Sequence, residues 1–548
     1  MGQRTLMVQP ADNVAVALQD LKAGEGVVVN GKTVELLDNV KAKHKFLLTD
    51  LKKGDRIIMY GVLVALANED LKTGNVLTTA NIHHAASGFE VRDSHFEWKA
   101  PDTKRWQDKR FMGYHRTDGK VGVANYWLVI PMVFCENRNV DVMRQALTEA
   151  LGYKAHDKYN DFASQLTALY KAGKSTAEIL EADFNSLDQP TAQPLLPNID
   201  GIKFLTHQGG CGGIRQDAIT LCGLLAGYIT HPNVAGATVL SLGCQNAQVS
   251  ILMEEIKKRD ANFDKPLFLL DQQQIGKETD LLALAIKKTF AGMVEASKQE
   301  RRPATLDKLI LGLECGGSDG FSGISANPAV GYCSDLLVGL GGSVILAEFP
   351  ELCGVEQNLS DRCSDEKDAK RFAELMGMYS QRATEAGSGF DMNPSPGNIK
   401  DGLITDAIKS AGAAKKGGTS PVAAVLDYPE PVTKPGLNLL CTPGNDVEST
   451  TAEVGSGASI VLFTTGLGTP TGNPIAPVVK LATNTALYQK MSDIIDLNMG
   501  TIIEGTETIE EAGSRILDFV CEVASGKKVK AVINGQDDFI PWKRGISL

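Results

Sequence analysis

Beyond residue 200, seven apolar runs each end in a polar or glycine-rich turn, and this arrangement constrains the fold more than any other feature of the sequence. The runs begin at Ile202, Ala237, Leu267, Leu309, Ser343, Leu437 and Ile460. Helix-length segments separate most of them, a rhythm typical of a parallel sheet that helices cover on both faces. The carboxyl ends of parallel strands share one edge, where ligands bind. The sequence therefore predicts a Rossmann-like parallel sheet of about seven strands within residues 199–548.

The residues before this region have other patterns, and 548 residues are too many for one hydrophobic core. Short strand-like runs fill residues 1–86, with Asn30-Gly31 between two of them as a strong hairpin signal. A polar stretch over residues 87–110 predicts a linker. The apolar run at residues 127–131 and the helix-like segments after it predict a middle α/β domain over residues 111–198. We therefore expect a multidomain α/β protein with an amino-terminal all-β module.

Charge and hydropathy exclude two classes of partner. The formal net charge is -11 and the pI is about 5.4, whereas a nucleic-acid-binding protein needs a basic face. No apolar stretch is long enough for a membrane helix, and residues 1–10 lack the apolar core of a signal peptide. We expect a cytoplasmic protein whose anion sites are built locally, from lysine, arginine, backbone N–H groups or a metal.

Ten cysteines in a chain of this length are too dilute for a disulfide scaffold, so their surroundings decide their role. Cys211, Cys244 and Cys315 each follow a predicted strand in a glycine-rich setting, and Cys135 has a similar place after an earlier apolar run. Thiolates that converge in space bind iron or zinc. A buried cysteine without any ligand is an equal alternative, because free cysteine is among the most buried residue types.

Two histidines have settings suited to acid–base chemistry. His207 follows a predicted buried strand and opens a glycine-rich turn, so we expect its imidazole to face the binding edge. His44 lies between Lys43 and Lys45 in the β module, where the two lysines form a local anion site and favour a neutral imidazole. The alternatives are a histidine packed under a loop and an ordinary solvated charge run.

Acidic side chains at the same strand ends are candidates for hard metal ligands or bases, with helix capping as the alternative for each. They are Glu314, Asp319, Glu348, Glu351 and Asp446. The glycine-rich turns do not indicate a nucleotide, because no Gly-x-Gly-x-x-Gly opens the first βαβ unit and the P-loop pattern is missing. These glycines instead predict close approach of the backbone to a small ligand.

A further set of motifs is spread along nearly the whole chain. They occupy residues 12–17, 44–50, 118–123, 207–211, 242–244, 272–274, 313–320, 393–398, 435–440 and 443–446. The stretch at 313–328, which contains Glu314-Cys315-Gly-Gly-Ser-Asp319-Gly, is highly specific. Together the motifs resemble those of the altronate/galactarate dehydratase family.

The resemblance implies an amino-terminal β-clip domain of the SAF type, a linker, a middle domain used in dimerisation and a carboxyl-terminal Rossmann-like domain that carries a metal. It also implies a hydro-lyase that requires Fe²⁺, with Mn²⁺ sometimes effective, and acts on a small-molecule sugar acid. The pattern is closer to the aldonate branch, which implies D-altronate going to 2-dehydro-3-deoxy-D-gluconate in hexuronate catabolism. The loop at residues 206–213 is more glycine-rich than the altronate pattern, so galactarate stays open as the substrate.

Such a dehydration needs a cation that stabilises charge on the substrate, a base for the C2 proton and an acid for the leaving hydroxyl. We expect Cys211, Cys244 and Cys315 to hold the iron, either as a single ion or as an iron–sulfur cluster. The expected catalytic residues are His207, His44 and Lys45, and the residues expected to bind substrate are Arg215, Gln273 and Asn445.

Two other functions stay open. A related lyase is the nearer one, either a galactarate dehydratase or a sulfo-lyase that eliminates sulfite from a sulfolactate-like acid. A non-catalytic sugar-acid-binding protein is the alternative outside the enzymes, because β-clip modules elsewhere serve as binding domains. The concentration of metal-type ligands at the predicted edge favours an enzyme.

Overall fold

The structure, a computed structural model, describes residues 3–92, 96–153, 158–184 and 194–547. These residues form three regions that follow one another along the chain and share a continuous hydrophobic core. Of the linker predicted over residues 87–110, positions 93–95 lie outside the described residues. Within the part of the chain that is described, no helix has both the length and the apolar character needed to cross a membrane.

Short strands build the amino-terminal β module. They are β1 (Thr5–Leu6), β2 (Val14–Ala17), β3 (Gly26–Val29), β4 (Lys32–Glu35), β5 (Lys45–Leu47), β6 (Arg56–Met59), β7 (Val62–Ala67) and β8 (Ile82–His84). They pair in three small antiparallel sheets, β1–β2–β5, β3–β4 and β6–β7–β8. The hairpin predicted at Asn30-Gly31 is confirmed: Val29 pairs with Lys32, and both turn residues have the positive φ that a type I′ turn requires.

The middle region contains a parallel sheet of four strands. Its elements are β9 (Arg110–His115), β10 (Val121–Gly122), β11 (Tyr126–Pro131), α1 (Asn137–Ala150), α2 (Lys158–Lys171), α3 (Thr176–Leu180), β12 (Gly201–Phe204), α4 (Arg215–Thr230), β13 (Val234–Ser241), α5 (Val249–Arg259), β14 (Leu267–Asp271), α6 (Gln272–Ile275), α7 (Glu278–Ala296) and β15 (Arg302–Thr305). The sheet order is β12–β11–β13–β14, with every pair parallel. Strands β10, β9 and β15 form a separate antiparallel sheet.

This sheet corrects the strand assignment made from the sequence. The runs that begin at Ile202, Ala237 and Leu267 pair with β11 and with one another, and none of them joins the carboxyl-terminal sheet. The boundary predicted at residue 198 therefore lies inside the middle region. The physical reason is that an apolar run indicates a strand buried on both faces but does not indicate which sheet buries it.

The carboxyl-terminal region is built on the larger sheet. Its elements are β16 (Ile310–Cys315), α8 (Ala326–Gly339), β17 (Ser343–Leu346), α9 (Glu356–Asp361), α10 (Glu366–Glu385), α11 (Pro396–Lys400), α12 (Asp406–Ala413), β18 (Val422–Leu426), β19 (Gly436–Leu440), α13 (Asp446–Gly455), β20 (Ile460–Thr465), β21 (Val478–Ala482), α14 (Thr485–Lys490), β22 (Leu497–Asn498), α15 (Gly500–Ile503), α16 (Ile509–Ala524) and α17 (Lys530–Ile533). The order is β18–β19–β17–β16–β20–β21–β22, all parallel.

The predicted fold class is confirmed, because this sheet has seven parallel strands. Four of the predicted runs are β16, β17, β19 and β20, and the remaining strands are β18, β21 and β22. β16 is the central strand, and the side chains of Leu311 and Leu313 on it are fully buried. A central parallel strand is covered on both faces, so its carboxyl end opens into the middle of the ligand-binding edge.

Candidate active site

The loop at residues 314–320 leaves the end of β16 at the carboxyl edge of the seven-stranded sheet. Cys315 is buried there, and its sulfur lies 3.3 Å from a carboxylate oxygen of Glu351 and 3.6 Å from one of Glu348. These three side chains offer ligand atoms that all lie within 4.8 Å of one another. A thiol with two carboxylates suits a borderline cation such as Fe²⁺ or Mn²⁺.

Two buried lysines bind the same carboxylates. The ammonium of Lys416 lies 2.5 Å from Glu348, and that of Lys409 lies 2.6 Å from Glu351. Burial alone lowers the pKa of a lysine, but nearby acidic groups outweigh it here, and the pKa of both lysines is raised. Burial also raises the pKa of Cys315, with Glu348 and Glu351 adding to the effect. The group therefore contains two ion pairs and a protonated thiol.

Glu348 has an unusual backbone conformation. Its φ is +62°, in the left-handed region that non-glycine residues rarely adopt, and its N–H donates to the Thr442 hydroxyl at 2.8 Å. One carboxylate oxygen, Oε2, contacts Lys416, whereas Oε1 is buried and has no hydrogen-bond partner among the described residues. Backbone strain together with an unsatisfied buried oxygen is typical of a functional position.

Two further carboxyl groups lie behind this cluster. Glu314 accepts a hydrogen bond from Ser449 at 2.7 Å, and Glu453 accepts one from the N–H of Leu313 at 2.8 Å. Burial raises the pKa of both, to about 8 for Glu453, and the charge of Glu348 adds to the rise. At neutral pH we therefore expect both groups to be largely protonated, which limits the negative charge around the ion pairs.

Asp446 adds a carboxyl group on the outer side of the same loop. It is the first residue of α13, directly after the exposed Asn445, and it approaches the backbone so closely that a Cβ on Gly316 would lie 2.0 Å from its Oδ2. Burial raises the pKa of Asp446 to about 7, with the charges of Glu348 and Glu351 adding to it. A carboxyl group with this pKa can exchange a proton near neutrality.

The β module closes this site. Lys43 forms ion pairs with Asp319 and Asp401, at 3.0 Å each, and Asp319 is fully buried. The Lys43 carbonyl lies between two glycines: a Cβ would lie 2.5 Å from it on Gly320 and 2.4 Å from it on Gly402. Only glycine permits an approach this close, so the sequence of the carboxyl-terminal region is adapted to receive the module.

His44 and Lys45 lie at the same contact. Nδ1 of His44 is 3.3 Å from the carbonyl of Ala42, which places the ring proton on Nδ1 and leaves Nε2 as the acceptor. Burial lowers the pKa of His44, and the charges of Lys45 and Lys41 lower it further, so the imidazole is neutral at pH 7. The sequence predicted a neutral imidazole from the charges of Lys43 and Lys45; burial is the larger cause, and Lys45 is the flanking lysine that contributes to it.

Lys45 is completely buried. Its amine donates to the carbonyls of Gly402, at 2.6 Å, and Lys43, at 3.1 Å. Burial lowers the pKa of Lys45 to about 7, against a smaller opposing effect of the Asp319 carboxylate. A lysine that is half deprotonated at neutral pH and lies within hydrogen-bonding distance of two domains is typical of functional rather than structural placement.

A second set of candidate residues lies at the carboxyl edge of the four-stranded sheet. Cys135 follows β11, Cys211 follows β12 and Cys244 follows β13, and all three are exposed. The structure thus brings Cys211 and Cys244 together but adds Cys135 to them. It places Cys315 on the other sheet, so the predicted iron-binding set is divided between two edges.

His207 lies beneath this second edge and is held by the backbone on both sides. Its Nε2–H donates to the carbonyl of Pro131 at 2.8 Å, and its Nδ1 accepts from the N–H of Gly209 at 3.1 Å. Burial lowers its pKa to about 4. Both ring nitrogens are hydrogen-bonded to the backbone, so the geometry gives His207 a structural role. It has no free nitrogen for the acid–base role that the sequence predicted.

The residues expected to bind substrate are divided in the same way. Arg215 is the first residue of α4, and the side chain of Gln273 lies beside Gly243. Both residues are exposed, and they belong to the four-stranded sheet's edge with the three cysteines. Asn445 instead precedes α13 at the edge of the seven-stranded sheet.

Sequence reasoning missed several residues at the site. Lys409, Lys416 and Asp401 lie on helices or turns far from any strand end, and no local motif distinguishes them. Lys409 also donates to Asn393 at 2.7 Å, and Asn393 does belong to one of the motifs noted above. A second group with metal-type ligands, His84, Cys353 and Asp406, joins the β module to the carboxyl-terminal region. Only the folded chain brings these residues together.

The fold and this site together define a class of enzyme. A parallel α/β region whose strand-end edge carries a carboxyl group and cation-type ligands, with a neutral imidazole on the module packed against that region, is equipped to remove a proton and a hydroxyl group from a small acid, as a hydro-lyase does.

Comparison with known proteins identifies the family. A model for the SAF domain of altronate/galactarate dehydratases matches residues 3–85, one for the second domain of D-galactarate dehydratase/altronate hydrolase matches residues 113–297, and one for the carboxyl-terminal domain of D-galactarate/altronate dehydratase matches residues 306–547. The chain belongs to this family and is a sugar-acid dehydratase. The second of these ranges agrees with the extent of the middle region in the structure.

Individual relatives match along the full length. Altronate dehydratase of Escherichia coli (strain K12) is 32% identical over 547 residues, and altronate dehydratase of Bacillus subtilis (strain 168) is 32% identical over 543 residues, with 99% of each chain covered in both cases. Galactarate dehydratase (L-threo-forming) of Escherichia coli (strain K12) is 30% identical over 538 residues, covering 95% of this chain and 93% of the relative.

Proposed function

We propose that this protein dehydrates D-altronate to 2-dehydro-3-deoxy-D-gluconate in hexuronate catabolism. The observation that carries the proposal is the contact between the β module and the carboxyl edge of the seven-stranded sheet, where Lys43, the residue before His44, pairs with Asp319 and packs against Gly320. The two altronate dehydratases support the choice of substrate, since each matches the whole chain, including the β module that supplies His44.

His44 is the base in this proposal. The acidity of the C2 hydrogen is low, so the base must be neutral before the reaction and hold its proton afterwards. Burial lowers the pKa of His44 and keeps the imidazole neutral, and the Ala42 carbonyl holds the tautomer in which Nε2 is free to accept a proton. We assign Lys45 to positioning the loop that carries His44, because its amine bonds the Lys43 and Gly402 carbonyls.

Asp446 is assigned to the leaving hydroxyl. Its pKa is raised to about 7, so a large share of the molecules carry the proton that a departing hydroxide needs. Its position beside Gly316 places it next to Cys315 and Glu348, where the cation-type ligands lie. The two acid–base groups thus come from different regions, the β module and α13.

We propose Fe²⁺ as the cofactor, with Mn²⁺ as a replacement, held by Cys315, Glu348 and Glu351. The donor set fits such an ion because the ligand atoms are within 4.8 Å of one another and Glu348 Oε1 lacks a hydrogen-bond partner among the described residues. When bound, the ion supplies a Lewis acid for the oxygens of the substrate. Lys409 and Lys416 then keep the carboxylates in place and limit the negative charge.

The test is anaerobic turnover of D-altronate and galactarate by the purified chain, with and without Fe²⁺, scored by formation of the 2-keto acid. We expect iron-dependent product from D-altronate. Product from galactarate alone would show that galactarate, and not D-altronate, is the substrate. Turnover of neither acid would contradict the proposal. Cys315→Ser, a nearly isosteric change, is expected to raise the Fe²⁺ concentration needed for half-maximal rate at least tenfold if the ion binds there.

We further propose that the protein works in the cytoplasm as a homodimer. Helix α2 supports the second part, because it buries no residue within the described chain. Large hydrophobic side chains also lie exposed on and near it: Tyr159, Tyr170, Leu180 and Leu195. Light scattering should give a dimer that Leu180→Asp converts to monomer, and a monomeric wild-type chain would contradict this arrangement.

A further inference from the structure

The three exposed cysteines of the chain form one group at the edge of the four-stranded sheet. Cys135, Cys211 and Cys244 are exposed, whereas the other seven cysteines are buried or half-buried. They follow β11, β12 and β13, which are neighbours in the sheet order β12–β11–β13. Free cysteine is ordinarily among the most buried residue types, so three exposed thiols at adjacent strand ends need an explanation other than packing.

The loops that carry the cysteines are fixed to one another. The N–H of Phe134 donates to the carbonyl of Gly209, and the N–H of Ala247 donates to the carbonyl of Gly210, both at 3.1 Å. Gly210 has a φ of +95°, and a Cβ there would lie 2.1 Å from the carbonyl oxygen of Met132. The backbone therefore sets the positions of the three loops relative to one another without help from a ligand.

The three thiols have no hydrogen-bonding partner among the described residues. Within the described part of the chain, none of their sulfur atoms forms an ion pair with another residue. Cys211 and Cys244 both lie near enough to Cys135 to interact with it electrostatically. Mutual repulsion between thiolates is relieved when a cation binds all three.

The spacing of the sulfur atoms favours a cluster over a single ion. Three thiolates on one tetrahedral ion lie about 3.8 Å apart, as follows from metal–sulfur bonds of roughly 2.3 Å. The sulfur atoms of Cys135, Cys211 and Cys244 are not all within 4.8 Å of one another, in contrast to the ligand atoms of Cys315, Glu348 and Glu351. Ligands at different corners of an iron–sulfur cluster lie further apart than ligands on one ion.

We propose that Cys135, Cys211 and Cys244 bind a [4Fe–4S] cluster and leave its fourth iron without a protein ligand. Two ferrous ions, two ferric ions and four sulfides give a core of charge +2, and three thiolates bring the assembly to −1, so no further oxidant or reductant is needed. The amino terminus of α4 begins at Arg215, four residues after Cys211, and its partial positive charge stabilises an anion.

Oxygen and amide donors of the neighbouring strand end lie beside the loop that carries Cys244 and would be available to a fourth iron. Asp271 ends β14, and its Oδ1 and the Oε1 of Gln273 lie beside Gly243, next to Cys244. An iron with an open position at such an edge takes a small oxygen ligand, such as a hydroxyl or carboxylate group. This site goes beyond the proposed function, which places the reaction at the other sheet.

The test is anaerobic reconstitution of the full chain with ferrous and ferric iron and sulfide, followed by desalting. We expect about four iron and four sulfide per chain, visible absorption near 400 nm, and an electron paramagnetic resonance signal after one-electron reduction. Cys135→Ser, Cys211→Ser and Cys244→Ser should each lose most of the sulfide, while the buried Cys315→Ser and Cys521→Ser should keep it. Thermal melts establish that the variants fold.

Each outcome bears on the cluster separately from the reaction. Iron without sulfide, or a Cys135→Ser variant with a full cluster, overturns the proposal. A wild-type cluster in a protein that turns over neither sugar acid leaves the cluster standing and contradicts the proposed function. If Cys211→Ser abolishes D-altronate turnover while Cys315→Ser preserves it, the cluster stands and the Fe²⁺ site proposed at Cys315 fails.

Discussion

The protein presents two carboxyl edges of parallel sheets, and they differ in almost every physical respect. At the seven-stranded sheet, Cys315 is buried among carboxylates and ammonium groups that pair with one another. At the four-stranded sheet, Cys135, Cys211 and Cys244 are exposed, and their sulfur atoms form no hydrogen bond or ion pair within the described ranges. The β module packs against the first edge.

The difference shows how one topological rule produces two kinds of site. Parallel strands deliver loop residues to a shared edge in both sheets. What the edge can do depends on burial: enclosed charges shift pKa values and prepare acid–base chemistry, whereas exposed thiols on rigid loops are prepared for a metal. The predictions below separate the two edges by perturbing one and measuring both.

The largest effect is expected from His44→Asn. Loss of the base should reduce kcat for D-altronate about 10³-fold, within the usual range for general bases. Iron and sulfide at the cysteine edge should not change. The exposed His83, changed to Asn, is the matched control and should keep its rate; equal losses in both variants would remove His44 from the reaction.

Gly210→Ala tests the cysteine edge in turn. A side chain there has to adopt a positive φ and also clashes with the Met132 carbonyl, so we expect a loss of about 3 kcal/mol in the free energy of unfolding, together with loss of the cluster. Gly276 has almost the same φ, +94°, but open space around it. Gly276→Ala should therefore cost only about 1 kcal/mol, and similar losses from denaturant unfolding of the two variants would argue against the clash.

The contact between the β module and the seven-stranded sheet is tested by a double-mutant cycle. Lys43→Met and Asp319→Asn each break a buried ion pair, and we expect a coupling of about 2 kcal/mol between them in the free energy of unfolding. kcat/KM should fall about tenfold or more in each single variant, because His44 loses its position. Additive effects without coupling would show that the ion pair does not hold the module.

The pH dependence should come from the edge of the seven-stranded sheet. Only neutral His44 accepts a proton, so on the acidic side kcat/KM should fall about tenfold per pH unit below the pKa of His44, which burial holds below its usual 6.5. The unfolded chain binds this proton at higher pH than the folded chain does, so the free energy of unfolding also falls as the pH drops below about 6.5. An acidic limb with a pKa above 6.5 in the rate profile would contradict the assignment.

The smallest effect is expected from Lys45→Met. Burial lowers the pKa of Lys45 to about 7, against a usual 10.5, so stability rises with pH between these values and the protonated amine is unfavourable below pH 7. Removing it should stabilise the folded chain by about 1 kcal/mol at pH 6 while lowering kcat several-fold. Chemical unfolding at pH 6 and pH 9 measures the difference, and a variant destabilised equally at both would show that the amine's hydrogen bonds outweigh its burial.

Much of the site was open to prediction from the sequence, but not its grouping. Cys135, Cys211, Cys244, Cys315 and the acidic residues of the edge were all recognisable, because each follows an apolar strand. The sequence did not show that these residues are divided between two sheet edges, because neither the order of the strands nor the sheet to which a strand belongs has a local signal. For the same reason His207 was expected to be free, and only the folded chain shows both its nitrogens bonded to the backbone.

The sequence by itself determined the family, the parallel α/β class, the β module with its hairpin, and the kinds of side chain at the strand ends. These depend on short-range patterns of hydrophobicity, glycine and turn residues. Tertiary structure alone decided that β12, β13 and β14 join the middle sheet, and that Lys409 and Lys416 reach the carboxylates. It also decided which thiols are buried. Burial and charge pairing arise between segments far apart in the chain, so they exist only once the chain has folded.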